Sequence, residues 1–157
     1  MVSEQVVPHG CLPSSAAIQL ARLSGFSPII TTASLARQKE LKDLGATDVI
    51  DRHLAGDQFM MALQKITQQP IKIVYDVISM QETQKTAWLA VAPGGTLVLT
   101  LQPVVKEEEE RGRSVITTYG NPHAQPNQHM CRGAWSILGK WLQDGVIKVR
   151  KKIQSTK

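Results

Sequence analysis

The sequence predicts an α/β fold: a doubly wound, mostly parallel sheet of about six strands with helices on both faces. Three observations carry this. Short runs rich in β-branched residues alternate with amphipathic segments along almost the whole chain, as a parallel sheet built through crossover helices requires. Hydrophobic residues make up 42% of the 157 positions but aromatic ones only 4%, so Ile, Leu, Val and Ala must fill the core, as in a sheet covered on both faces. Glycines stand where helical patterns stop, at Gly25 and Gly45. The length suits one domain, predicted over residues 1–148, followed by a basic tail at 149–157.

Each element follows in order. Val6 and Val7 end a short first strand, polar at its start. From Ser14 or Ser15 to Ser24, Ala17, Ile18, Leu20, Ala21 and Leu23 form a helical apolar face that stops at Gly25. "SPIITTAS" is the second strand, and "LARQKELKDLG" a helix with Leu35, Leu41 and Leu44 set between charges. "TDVID" is a short third strand, and "GDQFMMALQKITQ" a helix with Phe59, Met60, Leu63 and Ile66 on one side, ended by Pro70. "IKIVYDVIS" reads as the best buried strand; "ETQKTAWLAVA" is a helix that stops at "PGG" before the strand "TLVLTL". "RSVITTYG" and "NQHMCRGAWSILGKWLQDG" supply a last strand and helix. Between them "KEEEERGR", residues 106 to 113, reads as a solvated loop.

Composition excludes several function classes. Lys and Arg outnumber Asp and Glu by 18 to 13, but part of the excess lies in the terminal "KVRKKIQSTK", with no interleaved aromatics for base stacking, so no nucleic-acid partner is predicted. Cys11 and Cys131 are far apart, with no CxxC and no nearby pair of histidines, so neither a disulfide framework nor a metal site is indicated. No stretch is continuously apolar over a membrane-spanning length and no signal peptide is evident, which predicts no membrane association and a cytoplasmic protein. His9, His53, His123 and His129 read as surface loop residues, and nothing pairs Asp51 with Asp76 as acid and base, so no catalytic residue is assigned.

In a doubly wound sheet ligands bind beyond the carboxyl ends of the strands, where strand order reverses. The positions that matter are therefore the opening loop from Pro8 to Ser14, "TTAS" at 31–34, "VIS" at 77–79, "LQP" at 101–103 and "YGNPH" at 119–123. A carboxylate closing the second strand would accept hydrogen bonds from a free ribose 2′-hydroxyl, whereas small hydroxyls with a nearby cation suit a 2′-phosphate. Here the run is Thr31, Thr32, Ala33 and Ser34, with Arg37 one turn on, so a nicotinamide cofactor would be preferred in its phosphorylated form. Ser34 as a helix cap alone, and Ser34 as a cap that also meets phosphate, both satisfy the sequence.

The stretches "LGATDVIDRH", "IVYDVIS", "VAPGGTLVL" and "YGNPHAQPN", in this order and spacing, resemble the cofactor domain of the medium-chain dehydrogenase/reductase superfamily. The likeness is nearest to its zinc-type alcohol dehydrogenase-like and fungal enoyl reductase-like members, and it covers residues 4 to 148. It implies a Rossmann-type domain that binds NADPH, in a family whose enzymes transfer hydride to an activated alkene or carbonyl. Carried over by residue, it places the turn containing Pro13 and Ser14 at the pyrophosphate, Ser34 and Arg37 at the 2′-phosphate, and Ser79, Leu101 and Asn121 along the nicotinamide. It also implies a homodimer in which the last strand, "RSVITTYG", pairs with its copy.

The sequence departs from that pattern in two ways. Aligned on Ala17, Ile18 and Gln19, Pro8 and His9 stand at paired glycines of the relatives' opening turn, Pro13 at a valine and Ser14 at the last glycine. Those glycines allow a tight turn and close backbone approach to phosphate, so the first strand and its loop read as degraded and cofactor binding as weakened. Relatives also carry a GroES-like catalytic domain before this segment and a return to it afterwards, so the chain reads as truncated at both ends. The resemblance thus implies an NADPH-binding domain, non-catalytic alone; the alternative is a truncated remnant acting through dimerisation. A nucleotide-dependent methyltransferase shares only the general α/β pattern, which does not set function.

Overall fold

The computed structural model describes residues 6–9, 12–106, 111–121 and 123–149, the side chains of 6–9, 12–14 and 126 excepted. The chain divides into two compact units, Met1–Tyr119 and Gly120–Lys157. In the first, strands and helices alternate as far as β5: β1 (Val6–His9), α1 (Leu12–Leu23), β2 (Ile30–Ala33), a 3-10 turn (Leu35–Arg37), α2 (Gln38–Leu44), β3 (Asp48–Asp51), α3 (Gly56–Ile66), β4 (Ile73–Asp76), α4 (Gln81–Ala90), β5 (Thr96–Leu99) and then β6 (Ser114–Thr117). The second unit is built on α5 (Gln125–Gln143), which ends where the Val146 amide folds back on the Trp141 carbonyl at 2.8 Å.

The strands form one sheet in the order β3-β2-β1-β4-β5-β6, every neighbouring pair parallel. As far as β5, parallel pairing follows from the connections, since a helix between successive strands returns the chain to the same edge before it can run alongside again. Order reverses between β1 and β4, where Val6 pairs with Ile73 and His9 with Asp76. At that point the helices after β1 and after β4 pack on opposite faces, the place at which open α/β sheets take their ligands.

Two apolar clusters show the two faces. Ile30, Ile50, Val74, Leu97 and Leu99 pack with Phe59 and Leu63 of α3 and Ala87 and Ala90 of α4. Ala33, Val49 and Ile73 meet Ile18 and Ala21 of α1 and Leu41 of α2 on the other side. Consecutive residues Val49 and Ile50, or Ile73 and Val74, go to opposite clusters, the period of two that a pleated strand imposes. The predicted α3 face of Phe59, Met60, Leu63 and Ile66 is found intact.

The structure corrects several local expectations. Helix α1 begins at Leu12 rather than at Ser14 or Ser15, so Pro13 and Ser14 lie within its first turn, where the missing proline amide has no intrahelical acceptor to lose. Ser14 is therefore not at a capping position. Leu35 is 51% exposed, because it opens a 3-10 turn whose three residues per turn rotate it off the row that buries Leu41. Of "IKIVYDVIS", only Ile73–Asp76 forms the strand, and its burial alternates: Val74 and Asp76 are inside, Ile73 and Tyr75 half-buried.

Arg113 is the largest correction to the solvated reading of residues 106 to 113. It is 8% exposed, its guanidinium lies 4.2 Å from the Trp88 ring centroid, and Nη1 donates to the Trp88 carbonyl at 2.9 Å. A cation on the last carbonyls of α4 meets the negative end of the helix dipole and satisfies acceptors the helix leaves open. Residues 107–110 of that run lie outside the described residues. Among the described residues no helix is long and apolar enough to cross a membrane.

Candidate functional site

The loop after β4 is held by a closed hydrogen-bond network. Asp76 is fully buried at the end of β4; its Oδ1 accepts the amides of Ile78 and Ser79 at 3.0 and 2.9 Å, and its Oδ2 accepts the Thr83 hydroxyl at 2.6 Å. Two of these donors are backbone amides of a tight turn that α4 follows directly, so a carboxylate at this position folds the loop as an acceptor of local bonds. Ser79 adopts φ 53°, a left-handed backbone unusual for a side chain other than glycine. Its hydroxyl donates to the Asp76 carbonyl at 2.6 Å and accepts the Thr100 amide at 2.8 Å.

Gln84 extends the network to the loop after β5. Only 1% exposed, it donates through Nε2 to the carbonyls of Ser79 and Gln102 at 2.8 and 3.0 Å, and its Oε1 accepts the Val104 amide at 2.8 Å. The Thr100 hydroxyl adds a bond to the Val77 carbonyl at 3.1 Å. Loops after β4 and β5 are thus joined into one rim at the carboxyl ends of the strands, with Leu101, 55% exposed, on its outside. Of the predicted positions, Ser79 and Leu101 share this rim, but the Ser79 side chain is buried at 3% exposure and turned into the network. The sequence signal for this arrangement was an Asp closing a strand with Ser and Thr three and seven residues on, a spacing that suits an Asx turn leading into a helix.

At the end of β2 the backbone is buried and the polar groups that follow are side chains. Thr31 and Thr32 are buried within the strand. Ser34 precedes the 3-10 turn with extended backbone, φ −63° and ψ 132°, and makes no side-chain capping bond; the Arg37 amide bonds its carbonyl at 2.9 Å. Capping through the Ser34 hydroxyl is therefore not its role here. Arg37 is gripped at two points by Glu40, Nε to Oε2 at 3.0 Å and Nη2 to Oε1 at 3.1 Å. The end of β3 lies beside it: the Arg52 amide bonds the Ala33 carbonyl at 3.0 Å, and Asp51 turns back to accept the His53 amide at 3.0 Å.

The remaining predicted positions lie on other segments of the chain. Pro13 and Ser14 begin α1 after a connection of two residues from β1, Gly10 and Cys11, which lie outside the described residues. Asn121 belongs to the second unit, where its Oδ1 accepts the His123 amide at 2.9 Å and its carbonyl accepts Asn127 Nδ2 at 2.9 Å. It orders the turn that leads into α5. Tyr75, half-buried on β4, has its phenol raised above 10.0 by desolvation, which keeps it neutral at physiological pH. Among the described residues no group of three or more His, Cys, Asp or Glu side chains could hold a metal ion.

The strand order, its reversal beside β1 and the helix that starts almost at once after that strand define a Rossmann-like α/β domain. The sequence model of the family described as zinc-binding dehydrogenase matches residues 14–123, and the chain belongs to that family. No curated protein matches the sequence. Among solved structures, the Escherichia coli quinone oxidoreductase complexed with NADPH is similar with a TM-score of 0.72 at 18% identity, over 97% of this chain and 49% of that one. The CurK enoyl reductase gives 0.72 and 18% over 95% of this chain and 46% of its own. A mycobacterial protein, Rv1454c, complexed with NADPH gives 0.72 and 23% over 94% and 47%. The chain thus spans about half the length of these structures.

Proposed function

We propose that this chain is the NADPH-binding domain of a medium-chain oxidoreductase, whose whole protein transfers hydride to an activated alkene or carbonyl. The observation that carries the reading is the end of β2, which closes on Ser34 and Arg37 instead of a carboxylate. A hydroxyl outside any capping bond and a guanidinium one turn away are the groups a ribose 2′-phosphate takes. The rim at Ser79 and Leu101 supports the nicotinamide side: in this reading Ser79 sets the rim by holding two loops together. The first turn of α1 supports the pyrophosphate side, because a helix N-terminus following a parallel strand directs backbone amides at an anion.

In this reading the chain holds and orients the cofactor, and the cofactor carries the hydride. Pro13 and Ser14 in the first turn of α1 leave fewer amide donors and more bulk than glycine, so affinity is weak and His9→Gly with Ser14→Gly strengthens it. Titration of the purified chain with NADPH and with NADH tests the proposal. Saturable binding that favours NADPH is the expected result, and Arg37→Ala should weaken NADPH about tenfold, the worth of a charge-assisted contact, with little effect on NADH. A folded chain that binds neither, or an Arg37→Ala variant that loses both equally, refutes it.

Self-association is proposed alongside it, on the exposure of β6. That strand is last in the sheet order, so among the described residues its outer edge carries no partner strand within the sheet, and Ile116, 51% exposed, and Thr117 lie exposed along it for a second copy to meet. A single monomeric species in sedimentation at high protein concentration would remove this part and leave the cofactor reading standing.

A further inference from the structure

The cation assigned to the 2′-phosphate is already held by a carboxylate of its own chain. Glu40 lies one turn beyond Arg37, and the two side chains meet fork to fork through Nε and Nη2, with the arginine 22% and the glutamate 38% exposed. The two-point geometry is the one a phosphate uses on a guanidinium, so Glu40 occupies the same edge of Arg37 that a phosphate would take. We infer that Glu40 is a specificity-determining residue, an internal competitor for Arg37 that lowers the preference for NADPH over NADH. The inference rests on the cofactor reading above.

The competition has a definite thermodynamic form. A phosphate can engage the Nε and Nη2 edge only in the fraction of molecules in which Glu40 has let go, and its affinity is reduced by that fraction. A ligand without the 2′-phosphate makes no demand on Arg37 and loses nothing. Glu40 also places a negative charge near an incoming dianion, but that longer-range effect is shared with Asp43, the other carboxylate on α2. Asp43 provides the comparison: it pairs with Lys39 at 3.2 Å on the same helix, with side chains 62% and 91% exposed, and has no bond to Arg37. Glu40→Gln and Asp43→Asn change net charge equally, and only the first removes the competitor.

The test measures affinities of adenosine 2′,5′-bisphosphate, adenosine 5′-monophosphate, NADPH and NADH for the full chain by calorimetry. Glu40→Gln should tighten the two ligands with a 2′-phosphate about fivefold, the worth of a partly exposed ion pair, and leave the other two unchanged. Asp43→Asn should change all four by less than about twofold, the screened effect of one surface charge. In an Arg37→Ala background the effect of Glu40→Gln should vanish. Glu40→Ala repeats the measurement where glutamine keeps a hydrogen bond to the guanidinium, and thermal unfolding establishes that each variant is folded. An equal gain for all ligands, a gain that persists without Arg37, or weaker binding of the 2′-phosphate ligands overturns the inference while the cofactor reading stands. A folded wild-type chain that binds none of the four overturns both.

Discussion

Ser79→Ala tests whether the predicted nicotinamide-side serine acts through the loop network. The variant deletes a hydroxyl that donates to the Asp76 carbonyl at 2.6 Å and accepts the Thr100 amide at 2.8 Å in a site only 3% exposed. One carbonyl and one amide lose a partner, at about 1–3 kcal/mol for a group left unsatisfied. Some of that is recovered by relaxation, so a loss of about 2–4 kcal/mol is expected, with Tm lower by roughly 4–16 °C for a chain of this size. Ser79→Gly separates the two costs. It removes the same hydroxyl but relieves the left-handed φ of 53°, worth about 1 kcal/mol, and should therefore be more stable than the alanine variant by that margin. Denaturant unfolding of the three proteins, with NADPH titration of each, is the assay. An alanine variant as stable as the parent but deficient in NADPH binding would refute the network role and put the hydroxyl on the ligand.

Arg113→Met keeps the volume against Trp88 but removes the Nη1 donor to the carbonyls of Trp88 and Val91, at 2.9 and 3.5 Å; with those acceptors left open the loss should be about 2–3 kcal/mol, and Arg113→Lys should recover part of it, both read by chemical denaturation. Gly95→Ala should destabilise by about 2 kcal/mol or more, because the new Cβ would sit 2.9 Å from the backbone oxygens of Ala92 and Lys72, which cannot swing aside; a Tm within a degree of the parent would contradict this packing.

The sequence was legible wherever local pattern decides structure. The β-branched runs, the helical spacing of Phe59, Met60, Leu63 and Ile66, and the stops at Gly25 and Gly45, with φ of 82° and 120°, are each set by neighbours within a few residues. Parallel pairing and helices on both faces then follow, because a crossover helix leaves the chain few other ways to bury both sides of the sheet. The family was legible for the same reason, its motifs being the strand ends and turns of this architecture.

Partners distant along the chain were decided by the tertiary structure alone. Arg113 reads as the end of a charged loop until packing sets it on Trp88 and the end of α4, 25 residues earlier. The resemblance puts Ser79 along the nicotinamide, but that its hydroxyl accepts the amide of Thr100, 21 residues on, depends on where the neighbouring strand ends. Arg37 and Glu40 are near in sequence, yet their grip depends on a 3-10 turn running into α2, a junction that periodicity alone does not mark. Hydrophobic spacing determines which face of an element is buried; which polar groups meet across loops depends on where separate strands end, and that is a property of the assembled sheet.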